Sequence, residues 1–372
     1  MKVLGIETSC DETAAAVVED GRRLLSNVVA SSVDLHTAYG GVVPEIAARS
    51  HLESILPVID KALKNAFEAN SSKPIANSPD NKLSANSYQL TARSDPWDQI
   101  DAIAVTRGPG LLGSLLIGVL TARTLAITKK KLLYGINHVE AHVYAAFLEE
   151  KQPGFPLLAL VVSGGHTLLV LFKNNLDYSL LGETKDDAVG EAFDKVAKIL
   201  GLPYPGGPSV AEAAKNGDPT SVKLPKAKLG SSHDFSFSGL KTAVLRKAQK
   251  MAGKDYTFPS HKLPKVLSAS QKADLAASFQ RTAAETLVDA LVAATDELKP
   301  KSVVIAGGVA ANQYLRKLAS ERVCPTPIYP DIKLCTDNAA MIAALGYYKA
   351  TDGVKPDDPH KLAADPALSL KA

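Results

Sequence analysis

The sequence is poor in the features that would place it outside the ordinary cell interior. It has three cysteines in 372 residues, Cys10, Cys324 and Cys335, at no paired spacing. That usage excludes a disulfide framework and fits a reducing compartment. No basic stretch followed by an apolar one opens the chain, and no apolar run approaches the roughly 20 residues of a membrane-crossing helix. The expectation is a soluble, cytoplasmic protein with no membrane partner. Charge of one sign is also scarce: 42 Lys and Arg against 39 Asp and Glu give a net of +3. Nucleic-acid binding is neither required nor excluded by that balance, because a local patch decides it. What is abundant is apolar material, 46% of residues, enough for the cores of about two domains.

The predicted elements run twice through one pattern. "KVLGIETS" (2–9) and "TAAAVVED" (13–20) read as strands around a polar turn, "SCDE", and "RRLLSNVVAS" as a weaker third strand. A long helix follows from Pro44, with Pro57 inside it as a candidate kink; then come strand, helix, strand, and a helix over "HVEAHVYAAFLEE". From residue 157, "LLALVVSG" and "HTLLVLFK" are again two strands around a small polar turn, "SGGH", with "LDYSLLGE" as the third strand and "DDAVGEAFDKVAKILG" as the helix. Helix, strand, helix, a short strand over "TPIYPD" and a last helix complete the copy.

Two copies of one α/β unit, each opening on a hairpin, imply two lobes with a central cleft, the ground plan of the actin, Hsp70 and sugar-kinase superfamily. The expected division is a first lobe over 1–154 and a second over 155–350, the latter with a helical insertion over about 201–270. A Ser-, Asn- and Pro-rich insertion at about 70–99 reads as an exposed or disordered loop. Residues 351–372 read as a flexible tail.

His138 and His142 stand four apart, on one face of a helix, and can share a divalent cation or be incidental. A zinc-peptidase reading needs glutamate directly after the first histidine; that position is Val139, and Glu140 points about 200° round the helix from His138. Asp337 stands at a predicted helix start, either as its N-cap or as the oxygen ligand completing a His–His–Asp site. Such a triad with open positions suits Fe(II), with Zn(II) the weaker fit. The turns at Ser163, Gly164 and Gly165, at Gly206 and Gly207, and at Gly307 and Gly308 are turn chemistry or a nucleotide cradle. Asp11 and Glu12 are a solvated hairpin turn or a proton acceptor. Cys10, with no basic neighbour in sequence, reads as a buried or neutral thiol.

In order along about 340 residues stand "LGIETSCDETAAAVV", "GGVVPEIAARSH", "RGPGLLGSLLIGV", "INHVEAH", "VVSGGHT", "GEAFDKVAKILGLPYPGGP", "DFSFSGLKTAV", "IAGGVAAN" and "CTDNAAMIA". Together they closely resemble the bacterial members of the universal TsaD family. The resemblance implies transfer of a threonylcarbamoyl group from threonylcarbamoyl-AMP to the exocyclic amine of the tRNA adenosine beside the anticodon. It implies that His138, His142 and Asp337 bind a metal, given for the family as Fe(2+). Val161, Val162, Ser163, Gly164 and Gly165, with Asp194, Gly207 and Asn312, would hold the adenylate, and Asp11 would accept the proton. It also implies a TsaB-like paralogue and a TsaE-like ATPase as companions. The segment at 70–99 and His233 depart from the family pattern.

Two alternatives stand beside this reading. A small-molecule kinase of the same superfamily would use ATP and Mg(II) on carboxylates and needs no histidine pair; a non-catalytic TsaB-like partner would lack the pair altogether. Basic runs at 128–131, 223–229 and 241–250 are solvated faces or RNA contacts.

Overall fold

The computed structural model describes residues 1–67, 95–227 and 233–370. The insertion read at 70–99 lies outside them, except for 95–99, where the Asp95 side chain caps a single 3-10 turn. The first half opens with the meander β1 (Lys2–Glu7), β2 (Glu12–Glu19) and β3 (Arg23–Ser31). It continues through α1 (Val33–Thr37), α2 (Pro44–Phe67), β4 (Ala102–Gly108), α3 (Leu112–Lys129), β5 (Leu132–Asn137) and α4 (His138–Tyr144). The second half repeats the meander in β6 (Leu157–Val162), β7 (Thr167–Phe172) and β8 (Tyr178–Glu183). Then come α5 (Val189–Leu200), α6 (Gly206–Ala214), α7 (Ser238–Met251), α8 (Ala269–Leu298), β9 (Ser302–Ala306), α9 (Gln313–Arg322) and α10 (Ala339–Thr351).

The sheets are ordered β3-β2-β1-β4-β5 and β8-β7-β6-β9. In each, the first strand pairs antiparallel with its hairpin partner and parallel with the strand that returns after a helix. The duplication expected from the sequence is therefore present in four corresponding strands, with β5 lacking a counterpart in the second sheet, and the fold class is the duplicated actin/Hsp70/sugar-kinase type. One expected strand is reduced. Within "TPIYPD" only Ile328 bridges to Val304, because Pro325, Pro327 and Pro330 leave too few N–H donors for a ladder. Pro57, by contrast, leaves α2 unbroken.

Both faces of each sheet are covered, which is why the central strands are apolar throughout rather than alternating. In β6, Leu158, Leu160 and Val162 face the core beneath α5, α8 and α9, while Leu157, Ala159 and Val161 face inward. That inner core is shared by the two halves: it holds Val3, Ala14 and Ala104 of the first sheet, Val170 and Val304 of the second, and α4 and α10 between them. A division at 154/155 thus cuts the chain but not the packing. α10, the last helix in sequence, lies against the first sheet so closely that a Cβ on Gly5 would come within 2.2 Å of the Ala339 carbonyl.

The tail expected to be loose over 351–372 is docked through its described residues. The Asp357 N–H donates to the Leu133 carbonyl (2.8 Å), and its Oδ2 accepts the Gly135 N–H (2.7 Å), so the open edge of β5 is satisfied. Leu362 is buried in the core under α2 and α3, and the Arg123 guanidinium donates to the carbonyls of Pro359, His360 and Leu362. α3 is the one described helix long and apolar enough to cross a membrane. Here it is the crossover between the parallel strands β4 and β5, tied at its middle to this tail.

Replacing Gly5 by alanine should force α10 off the sheet and cost about 1–3 kcal/mol, the range for overpacking a close contact. A lowered urea midpoint with an unchanged slope is the expected measurement.

Candidate metal centre and nucleotide cleft

β5 ends at Asn137, whose side-chain oxygen accepts the N–H groups of Val139 and Glu140 and so starts α4 directly at His138. Across the inner core, α10 is capped by Asn338, whose Oδ1 accepts the Met341 N–H (3.1 Å). The N-cap role open to Asp337 from the sequence therefore belongs to its neighbour, and Asp337 is left to face the histidines. Its Oδ1 stands 3.4 Å from His138 Nε2 and 3.6 Å from His142 Nε2. One ligand atom from each of the three lies within 4.8 Å of the others.

These separations suit a shared ion better than direct bonds. They are long for hydrogen bonds, whereas donors each about 2.1 Å from one cation stand roughly 3.4 Å apart in tetrahedral geometry. The His142 ring is buried, and neither of its nitrogens finds a hydrogen-bond partner in the protein. An orphaned imidazole of this kind is costly unless something else occupies its lone pair. Burial pushes its pKa down to about 4, helped by neighbouring His138, so it presents a neutral ring, the ligand form. The residues present fit a divalent transition metal.

His138 is held from behind by a residue that sequence reasoning missed. Glu7, fully buried at the end of β1, places Oε2 3.0 Å from His138 Nδ1 and accepts the Thr106 hydroxyl (2.6 Å) and the Ser9 N–H (2.5 Å). Because a carboxylate only accepts, Nδ1 carries a proton, and Nε2 is left facing Asp337, where it can take a second proton or a cation. Burial alone would raise Glu7, but the His138 ring and the Thr106 hydroxyl hold its pKa below the usual carboxylate value. Asp337 is likewise held low against burial by His138, with His142 and His166 adding to it. The available signal was one acidic residue in an otherwise apolar strand, a buried charge that needs a partner.

The two hairpin turns flank this centre. In the first, burial and the charges of Asp337 and Asp11 push Glu12 up to about 9, and burial and the same two carboxylates push the Cys10 thiol up. Cys10 is therefore the neutral thiol expected. In the second turn, the Ser163 N–H donates to the His166 carbonyl (2.9 Å), and Ser163 Oγ accepts the His166 N–H (3.1 Å). Burial and the nearby His138 push His166 down to about 4, so a third imidazole, missed in the sequence, adjoins the centre.

The other expected residues divide into those with free functional groups and those already engaged. Gly164, Gly165 and Gly207 have open space where a side chain would stand. Val161 and Val162 are buried in β6, so they can offer a ligand only backbone. One oxygen of Asp194 accepts the Gly206 N–H (2.7 Å), leaving the other available. Asn312 caps α9 through its oxygen and donates to Gln280 Oε1, so its side chain is largely occupied. Gly307 adopts φ +94°, with its Cβ position 2.5 Å from the Val162 carbonyl, a conformation and approach that require glycine. Tyr204, also missed, has its hydroxyl pKa raised by burial and by the charges of Asp11 and Asp194, one carboxylate from each half.

A family profile described as TsaD, tRNA N6-adenosine threonylcarbamoyltransferase, matches residues 23–73 and 91–344. The chain belongs to the TsaD family. The protein named tRNA N6-adenosine threonylcarbamoyltransferase of Symbiobacterium thermophilum is 50% identical over 99% of this chain and 96% of its own. The protein of that name in Thermomicrobium roseum is 48% identical over 96% and 94%. Among solved structures, HypF of T. kodakarensis matches in fold alone, with TM-score 0.57 and 13% identity over 94% of this chain and 48% of HypF.

His142→Ala and Asp337→Ala should each abolish stoichiometric binding of Fe(II) or Zn(II) by the purified protein in anaerobic titration calorimetry. Glu7→Gln, which keeps the three ligands, should weaken it about 10- to 100-fold.

Proposed function

We propose that the chain transfers threonylcarbamoyl from threonylcarbamoyl-AMP to the exocyclic amine of the adenosine beside the anticodon of tRNAs. The observation that carries this reading, beyond family membership, is the convergence of His138, His142 and Asp337 next to both hairpin turns. Two imidazoles in the donor set favour a transition metal over Mg(II), which argues against a kinase. The same histidine pair argues against a non-catalytic paralogue. Iron(II) is the proposed metal; when bound there it supplies Lewis acidity to the donor's carbonyl or phosphate oxygens.

The chain's own groups have separate tasks. The side-chain-free turn at Gly164 and Gly165, with Gly207, lets the adenylate approach backbone N–H groups. The free oxygen of Asp194 is placed to accept a ribose hydroxyl. The adenine amine is a weak nucleophile, so its orientation and the removal of its proton carry much of the barrier. Burial and the charges of Asp337 and Asp11 favour the neutral form of Glu12, and Asp11 is the proposed proton acceptor in the first turn.

A TsaB-like paralogue is the proposed partner, with a TsaE-like ATPase as a further companion carried by the resemblance. Supporting the first, α2 and α3 pack side by side, Gly113 against Ala48, and leave a row of exposed leucines: Leu52, Leu56, Leu112, Leu116 and Leu120. An apolar surface of that extent on adjoining helices suits a matching helical face on another chain.

Incubation with threonylcarbamoyl-AMP, unmodified tRNA and the two companions should yield threonylcarbamoyladenosine by mass spectrometry of the nucleosides. Asp11→Asn should slow it about 10²- to 10⁴-fold with adenylate binding retained. No product from the wild type under conditions where a known relative is active would defeat the assignment. Leu52→Asp with Leu116→Asp should leave the isolated protein folded and abolish its co-elution with the paralogue.

A further inference from the structure

The basic charge of the chain is concentrated in one segment that the proposed chemistry does not use. Residues 241–272 contain 8 Lys and Arg (241, 246, 247, 250, 254, 262, 265 and 272) and one acid, Asp255, a net of +7. The rest of the chain has 34 basic against 38 acidic residues, a net of −4. A protein that is elsewhere slightly acidic thus carries its whole positive excess on the stretch from α7 to the start of α8.

The other basic runs are shorter and partly neutralised: Lys129 pairs with Asp95, and Lys226 is held by Glu285 and Asp289, although Lys130 and Lys223 are exposed as well. Within 241–272, Lys241 is tied to Asp187. Lys250, Lys254, Lys262 and Lys265 are exposed, and none of them forms an ion pair among the described residues. Asp255, the sole acid, is turned onto its own loop by the N–H and hydroxyl of Thr257. A cluster of unneutralised lysines is unfavourable by itself and points to an external anion.

The cluster is rigidly seated. Leu263 and Leu267 are buried in the second half's outer core, which fixes the flanking lysines. Gln271 Nε2 donates to the Met251 carbonyl (2.9 Å), fastening the start of α8 to the end of α7. Gly201, at the end of α5, packs on Pro264. An aromatic platform lies among the charges: Tyr256 is 67% exposed, with the Arg246 guanidinium 4.8 Å from its ring centroid. Exposed aromatic rings beside guanidinium groups stack nucleobases, a feature RNA uses and an acidic protein surface does not.

The position relative to the cleft suits a long substrate. α7 starts against the loop between β8 and α5, where Asp186 accepts the Phe237 and Ser238 N–H groups, and that loop leads into α5, whose Gly190 packs on Ser163 of the second hairpin turn. The 14 residues of α7 carry the chain about 20 Å away. We propose that the face formed by Lys250, Lys254, Lys262 and Lys265 with Tyr256 is where the tRNA's backbone docks while its anticodon loop reaches the cleft. This rests on the transferase reading and adds where the acceptor is held.

The test uses full-length protein carrying Lys250→Glu, Lys254→Glu, Lys262→Glu and Lys265→Glu, and separately Tyr256→Ala, with fluorescein-labelled unmodified tRNA as the probe. The lysine variant should bind about tenfold or more weakly at near-physiological salt. Its log Kd against log salt slope should fall by about 0.7–0.9 for each phosphate that is no longer neutralised. In the reconstituted reaction, KM for tRNA should rise with kcat unchanged, and the thermal midpoint and adenylate binding should not move. Tyr256→Ala should weaken binding without altering the salt slope. Control changes at exposed Lys61 and Lys317 should do neither. Wild-type affinity and slope in the lysine variant would overturn the inference while leaving the transferase reading intact. Loss of companion binding with tRNA affinity unchanged would also overturn it, assigning the face to a protein. Failure of the wild type to bind or modify tRNA would instead strike the transferase reading beneath it.

Discussion

The close packing of α10 between the two sheets is the contact on which the site depends. "AAMIAALGYY" is apolar on all sides, as a helix buried all round must be, and its first turn meets Gly5 of β1 with no room for a methyl group between them. α4 is buried along its whole length in the same inner core. Two helices separated by about two hundred residues are thereby held side by side, with their N-terminal ends at the same end of the core. The metal centre is the point where those ends meet. Asn137 and Asn338 fix the two starts, and the side chains next to them, His138 and Asp337, are brought together as a consequence of packing rather than of local sequence.

Charge explains why this arrangement needs an ion. Glu7 and the two imidazoles are buried and Asp337 is largely so, and a buried charge without a partner is expensive. Without a cation, Asp337 and Glu7 draw a proton to His138 and raise its pKa against the effect of burial. A divalent cation competes for the same Nε2 lone pair and also satisfies His142, which a proton on His138 leaves orphaned. Glu7 serves both states, because its bond to Nδ1 is the same whether Nε2 holds a proton or a metal.

Much of this was legible in the sequence. The duplication shows in the repeated order of apolar runs around paired polar turns, and the two histidines do share one helix. Residues that signal through composition alone did less well. "TPIYPD" looked like a strand until its prolines were counted as missing donors, and the polar tail looked loose because the hydrogen bonds that hold it come from the edge of β5 and from Arg123. Glu7, His166 and Tyr204 were passed over because each acts through neighbours distant in sequence. Asp337 was ambiguous for a different reason: the cap and the ligand are adjacent residues, and only the geometry of Asn338 separates them.

The distribution of charge also bears on how one protein handles a polyanion at an acidic cleft. Asp11 in the first hairpin turn, Asp194 on α5 and Asp337 beside the two histidines are carboxylates of the proposed site, and a phosphodiester brought in unshielded would meet like charge there. A base edge carries no such penalty, and a single adenylate phosphate is acceptable where a divalent cation or backbone N–H groups offset it. The cleft therefore discriminates in favour of a nucleobase and against the backbone that carries it. Attraction for that backbone has to be supplied elsewhere, far enough away not to neutralise the carboxylates proposed for proton transfer and metal binding. The proposed lysine face, about one helix length from the loop before α5, would meet that requirement, drawing the RNA in while the chemistry stays in a field of opposite sign.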